Sequence, residues 1–143
     1  MRDMTEKEIK DFIAEWTWGT IIAVDGDKPY AIEVTYGSDG EYIYCGSRPG
    51  GKMAKCIKAN PNMIFKICNA DETYATWKAV SVFAKAERLV KKEDIMRGIR
   101  HIAKGRGRDE YAYDAIGERM AANPENSNAL RIPIKNATGV MSS

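Results

Sequence analysis

Between Gly19 and Cys45 the chain alternates β-favouring runs with short glycine turns, and no other feature limits its possible folds so strongly. Gly19–Asp25, Pro29–Tyr36 and Glu41–Cys45 are rich in β-branched and aromatic residues; Gly26-Asp27 separates the first pair and the Gly37-to-Gly40 turn the second. Runs joined by turns this tight pair with their chain neighbours. The segment therefore predicts a three-stranded antiparallel meander.

Helical signals bracket it. Thr5 and Glu8 form a T-x-x-E capping box, and Ile9, Phe12, Ile13 and Trp16 repeat at helical spacing, which predicts an amphipathic first helix. Lys52–Ala59 reads as a short helix stopped by Asn60-Pro61, because the residue before proline avoids helical angles. Met63–Asn69 and Tyr74–Val90 read as strands, the second long enough to bend or carry a bulge. Lys91–Lys104 predicts a helix with Ile95, Ile99 and Ile102 on one face, broken by Gly105-Arg106-Gly107-Arg108. A third long helix is expected over Glu110–Ala122 and a final strand over Leu130–Ala137. Residues 1–143 are expected to form a single domain, since dividing them would leave two marginal cores. Six strands, with a helix between the third and fourth, make the chain mainly β: a small antiparallel barrel with flanking helices.

The meander runs into Gly46-Ser47-Arg48-Pro49-Gly50-Gly51-Lys52, a loop with the composition of a phosphate cradle. Its glycines let backbone amides crowd an anion, the following helix start offers unsatisfied donors, and Arg48 and Lys52 add charge. The spacing also fits G-x-x-x-x-G-K, but Met53 stands where a nucleotide triphosphatase needs a magnesium-binding hydroxyl. A phosphate cradle without ATPase chemistry is expected, with a plain glycine turn as the alternative.

Charge is nearly balanced, 22 basic against 20 acidic side chains, which argues against wholesale attraction to nucleic acid or membrane. Cations nevertheless cluster. Arg48–Lys58 holds four without an acid, and Arg97–Arg108 holds five plus His101. No apolar run reaches membrane-spanning length and the N-terminus lacks a signal-peptide core, so a cytoplasmic protein is expected. Cys45, Cys56 and Cys68 have no C-x-x-C spacing and read as reduced, buried small hydrophobes; no metal site is predicted.

The order of these pieces, namely Pro29-Tyr30-Ala31-Ile32-Glu33-Val34, a strand ending Tyr42-Ile43-Tyr44, the glycine loop, Lys52 and Asn60-Pro61, resembles the pyridoxamine 5′-phosphate oxidase-like, FMN-binding split-barrel family. Within that family the chain looks most like the 5-nitroimidazole antibiotic-resistance branch, which the Leu130-to-Ile134 strand and Thr138-Gly139 also fit. The resemblance implies a six-stranded split barrel forming a homodimer, with FMN in clefts at the interface. It maps the flavin-facing strand onto Ile32, Glu33, Val34 and Thr35, and the phosphate contacts onto Ser47, Arg48 and Lys52, with the Gly50-Gly51 backbone. It also brings Trp77 and Lys78 near the cofactor, although Ala79 replaces the family's usual Ser. Gly46 stands where the branch often carries His, so nitroimidazole reduction is not implied. The Trp- and Arg-rich C-terminal signature of true pyridoxamine phosphate oxidases is missing.

Such a chain is expected to be a flavoprotein oxidoreductase passing electrons from a nicotinamide nucleotide or protein donor to a small oxidised organic compound. Trp16, Trp18, Tyr36 and Trp77 are candidate ring walls, and Lys78 is a candidate partner for the ring's electron-rich edge. No acid–base pair stands out, so catalytic residues are unassigned. A non-catalytic flavin carrier, a single-stranded nucleic-acid-binding barrel, and haem or deazaflavin in place of FMN are the competing readings.

Overall fold

A computed structural model describes residues 1–143. In chain order it contains β1 (Arg2–Asp3), α1 (Glu6–Glu15), β2 (Trp18–Asp25), β3 (Lys28–Ser38), β4 (Tyr42–Gly46), α2 (Lys52–Ala59), β5 (Asn62–Ala70) and β6 (Trp77–Lys85). There follow β7 (Glu87–Arg88), α3 (Lys92–Gly105), α4 (Asp114–Ala122), a 3-10 turn (Pro124–Asn126), β8 (Ala129–Pro133) and β9 (Ala137–Met141). Every strand pairing is antiparallel, in one sheet ordered β1-β9-β6-β5-β2-β3-β4-β8-β7.

That order forces the sheet to curl. Laid flat, β8 and β9 would sit six strand spacings apart, about 29 Å at the usual separation. Residues 134–136 alone connect them, and so short a link reaches only about 14 Å. The sheet therefore wraps into a half-barrel, and Phe83 N–H donates to Asn136 C=O at 3.0 Å beside the join. This is the split-barrel architecture, mainly β with flanking helices.

Alternation along the strands fills the barrel. On β2, Gly19, Ile21 and Ala23 point inward while Trp18, Thr20 and Ile22 point out. Ile21, Ile43, Phe65, Ile67, Val80, Val82 and Ile132 are fully enclosed. The Thr5–Glu8 capping box forms as expected and starts α1, whose Ile9, Phe12 and Ile13 close one end of the interior. Tyr36 donates its hydroxyl to the Ile13 carbonyl at 2.7 Å from within the core, which makes it a packing residue and corrects its place among the candidate flavin walls.

A second, smaller core lies outside the barrel, where α3 covers Tyr44, Leu89 and Ala129 with Ile95 and Ile99. Gly37 permits this contact: a Cβ there would lie 2.1 Å from the His101 carbonyl oxygen. Any larger residue would push α3 away from the sheet.

The strand count rises from the expected six to nine for local reasons. The Tyr74–Val90 run is not one strand. Asp71 accepts amide hydrogen bonds from Thr73, Ala75 and Thr76 and holds the start as a turn, and beyond Ala86 the chain changes partner from β5 to β8. Leu130–Ala137 also divides, into β8 on β4 and β9 on β6. Arg2–Asp3 adds a short strand against β9. The helix expected from Glu110 begins only at Asp114, because Asp109 accepts hydrogen bonds from the Tyr111 and Ala112 amides and fixes a turn first. Cys45 and Cys56 are buried, but Cys68 is exposed, since strand alternation sends it opposite Ile67.

Candidate functional site

The glycine loop bridges β4 and α2. Gly51 N–H donates to Arg48 C=O at 2.9 Å, closing a turn with Pro49 and Gly50 in the middle. Gly50 has φ +65, the left-handed conformation that a Pro-Gly turn of this kind demands at its third residue. A Cβ on Gly51 would come within 2.9 Å of the Arg48 oxygen, so both glycines are needed as the loop stands. Gly51 caps α2 without a side-chain hydrogen bond. The first-turn amides of α2 are left as open donors at the positive end of the helix dipole.

This turn walls a groove of about 470 Å³ with Tyr30, Ile32, Ser47, Arg48 and Lys52. The Ser47 hydroxyl oxygen is shielded from solvent and has no hydrogen-bond partner. Neither does the amide oxygen of Asn128, a buried residue whose backbone oxygen lies 3.5 Å from where a Cβ on Gly46 would stand. Two unsatisfied polar atoms flanking one loop are costly unless something else meets them. Lys52 is 3.1 Å from Asp25 and sits over the Tyr30 ring, 4.7 Å from its centroid. The hydrogen bond and charge of Asp25 raise its pKa. An arriving anion would therefore compete with Asp25 for this ammonium.

A second groove, about 500 Å³, continues from the first and shares Ile32, Ser47 and Arg48. Glu33, Val34 and Thr35 of β3 line its sheet side; Ile99, Ile102 and Arg106 of the α3 region and Tyr113 and Ile116 at α4 form the opposite wall. The Thr35 hydroxyl accepts hydrogen bonds from Arg106, from Nε at 2.9 Å and also from Nη2.

The structure thus brings together Ile32, Glu33, Val34, Thr35, Ser47, Arg48, Gly50, Gly51 and Lys52. Trp77 and Lys78 lie elsewhere in the protomer. They line a groove of about 660 Å³ with Phe12, Trp16 and Met141, which shares no residue with the other two. Three strand spacings separate β6 from β3, about 14 Å of sheet. Lys78 Nζ lies 5.6 Å from the Phe12 ring centroid, and the Trp16 indole nitrogen is buried without a partner.

Arg106, Tyr113 and Ile116 escaped residue-level identification. The basic run Arg97–Arg108 contains Arg106, but which of its cations stays unpaired depends on distant acids. Arg97, Arg100 and Lys104 are paired with Asp94, Asp114 and Glu110. Burial pushes the Cys45 thiol up to about 12, and His101 of α3 stacks on Tyr44.

The cradle fits a phosphate ester on its own residues: an orphaned hydroxyl, open helix-start amides and two cations meet in one groove. No helix is long and apolar enough to cross a membrane. Comparison with known proteins agrees on the architecture. Across 96% of this chain and 85% of its own length, a candidate 5-nitroimidazole antibiotic resistance protein from Bacteroides thetaiotaomicron superposes with a TM-score of 0.77 at 15% identity. An FAD-binding protein from Mesorhizobium loti superposes with a TM-score of 0.71 at 19% identity, covering 99% of this chain and 96% of that one. An uncharacterised protein of Rhizobium meliloti is 27% identical over 89 residues, which span 62% of this chain and 58% of the relative's length. Residues 5–141 match the family model described as pyridoxamine 5′-phosphate oxidase, and the chain belongs to that family.

Proposed function

We propose that this protein binds FMN and works as an oxidoreductase, taking electrons from a nicotinamide nucleotide or a protein donor and passing them to a small oxidised organic compound. The observation that carries this reading is the orphaned Ser47 hydroxyl beside the open amides of α2, at the head of a groove that runs on along Ile32–Thr35. Bound there, the flavin supplies the two-electron chemistry. The protein's residues do the rest. Ser47, Arg48 and the Gly50-Gly51 backbone hold the phosphate dianion, with Lys52 divided between it and Asp25. Ile32 and Val34 offer an apolar wall, and the α3–α4 side of the groove limits water.

FMN is favoured over FAD because the loop offers one compact cradle with two cations, which suits a single terminal phosphate. The Mesorhizobium loti protein of the same fold is described as FAD-binding, so the choice is open to direct test.

The active form is a homodimer in this reading. Trp77, Lys78 and the unpartnered Trp16 indole form a half-site separate from the cradle, and a second copy can bring its own half-site to this one. An exposed row on the outer sheet face supports the same association: Ile22 pairs with Ile64 and Ile64 with Phe83, the last 47% exposed.

Titration of the flavin-free protein with FMN and with FAD, followed by absorption and fluorescence, tests the cofactor. FMN should bind with a perturbed flavin spectrum and more tightly than FAD, and Ser47→Ala with Lys52→Ala should weaken it by ~100-fold, about the effect of two charge-assisted hydrogen bonds. Failure of both flavins to bind would refute the proposal. Bound FMN that is never reduced by nicotinamide nucleotides or reduced ferredoxin-type proteins would leave a flavin carrier instead.

A further inference from the structure

We infer that Asn128 recognises the hydroxyl-bearing arm of the cofactor, reaching it across the opening that Gly46 leaves by having no side chain. Asn128 does this only with a flavin in the groove, so the assignment rests on the flavin reading.

Asn128 is 5% exposed, and its amide oxygen is shielded from solvent without a hydrogen-bond partner. A buried amide in that state costs stability in the empty protein. The segment that carries it is nonetheless firmly held. Arg88 donates to the carbonyls of Glu125 at 3.0 Å and of Ser127 at 3.3 Å, and the Ser127 hydroxyl donates to the Leu89 carbonyl at 2.7 Å. Ala129, the next residue, pairs with Gly46 in the β4–β8 ladder. Bonds on both sides of Asn128 thus fix its backbone, while the amide oxygen of its side chain is left unused. A polar group oriented by its neighbours and unpaired in the fold is prepared for a ligand, because little freedom remains to be lost on binding.

Gly46 supplies the way out. It is the only glycine among the residues lining the groove beside Ser47 and Arg48, and a Cβ placed on it would stand 3.5 Å from the Asn128 amide nitrogen. The Asn128 amide therefore lies behind the groove wall at the one lining position that has no side chain to cover it. What it meets there follows from the order of the chain and of the ligand. Gly46 adjoins Ser47, a phosphate contact in the flavin reading, and in FMN the phosphate is joined to a run of hydroxyl-bearing carbons before the ring begins. A hydroxyl both donates and accepts, so it satisfies an amide through either of its ends. The phosphate dianion offers only acceptors and would leave the amide oxygen unpaired. The polar edge of the ring lies at the far end of the arm.

Fluorescence titration of the flavin-free protein with FMN, and with FMN analogues each lacking one hydroxyl of the arm, tests the assignment. Wild type should bind FMN ~10-fold more tightly than at least one analogue, the upper worth of one neutral hydrogen bond; the analogue that loses most identifies the hydroxyl. Asn128→Leu, close to Asn in size, should lose ~10-fold in FMN affinity and bring that analogue to within about threefold of FMN. Because it removes an unpaired buried amide, it should leave the melting temperature of the flavin-free protein unchanged or raised, whereas a purely structural Asn128 would lower that temperature and keep the preference. Gly46→Ala sets a methyl group between amide and groove at an ordinary contact distance, so it should fold as wild type and lose the same preference, which guards against poor folding of Asn128→Leu. A wild type that binds FMN but is indifferent to every hydroxyl, or a preference that survives either substitution, overturns the assignment and leaves the flavin reading intact. Uptake of none of these flavins refutes both.

Discussion

The barrel and the helical pair laid against it differ in how they are held, and the candidate site has one wall in each. The barrel has a continuous interior of 21 buried residues, with backbone ladders from β9 through to β8. The α3–α4 pair rests on a cluster of only five buried residues, plus one close backbone approach at Gly37. The cradle belongs to the barrel, because the glycine turn is tied to β4 on one side and to α2, packed through Met53, Cys56 and Ile57, on the other. The Arg106–Tyr113 wall belongs to the helices. One wall of the candidate site is thus tied into the barrel, and the other is anchored less deeply, in the region from which local opening is drawn.

Substitutions in each region test whether they respond separately. Phe65→Ala should have the largest effect: Phe65 is fully buried and meets Tyr36 edge-on at 5.4 Å. Its loss should cost about 3–5 kcal/mol in denaturant unfolding, across barrel and helices together. Gly37→Ala should cost about 1–3 kcal/mol, since α3 must lift to admit a Cβ. Hydrogen exchange should quicken first in 92–105 while β2 and β5 amides stay protected. Equal loss in both regions would mean that they unfold as one unit.

Tyr36→Phe removes the buried hydroxyl that donates to Ile13, which should cost about 1 kcal/mol and loosen α1 without touching α3. The smallest effect is expected from His101. Burial lowers its pKa below the ordinary value, with Asp39 partly opposing. The unfolded chain therefore takes up this proton at higher pH than the folded one, so stability falls as pH drops through about 6.5 and levels below the folded pKa. His101→Gln should flatten that part of the stability–pH curve relative to wild type.

Much of the fold was legible because it is written in short-range patterns. The β2–β3–β4 meander follows from turn glycines, and α2 from the cradle at one end and Asn60-Pro61 at the other. The loop residues Ser47–Lys52 are also contiguous, so the turn they make could be read directly. Breaks that depend on changing partners were not legible. Nothing local to Ala86 says that the chain must leave β5 for β8, and nothing in Leu130–Ala137 says that its two halves pair at opposite sides of a curled sheet. Cys68 looked like its apolar neighbours, although strand alternation turns it outward. Trp77 and Lys78 lie three strand spacings from β3, in a groove of their own, which no local pattern shows.

The meander, the capping box, the glycine turn and the run of cations are local properties, since each depends on backbone preferences and charges within a few residues. Which cations remain available is set by the fold. Asp25 reaches Lys52 and Asp114 reaches Arg100 across long stretches of chain, while no acid reaches Arg106. Charge pairing acts through space, and only folding sets those distances.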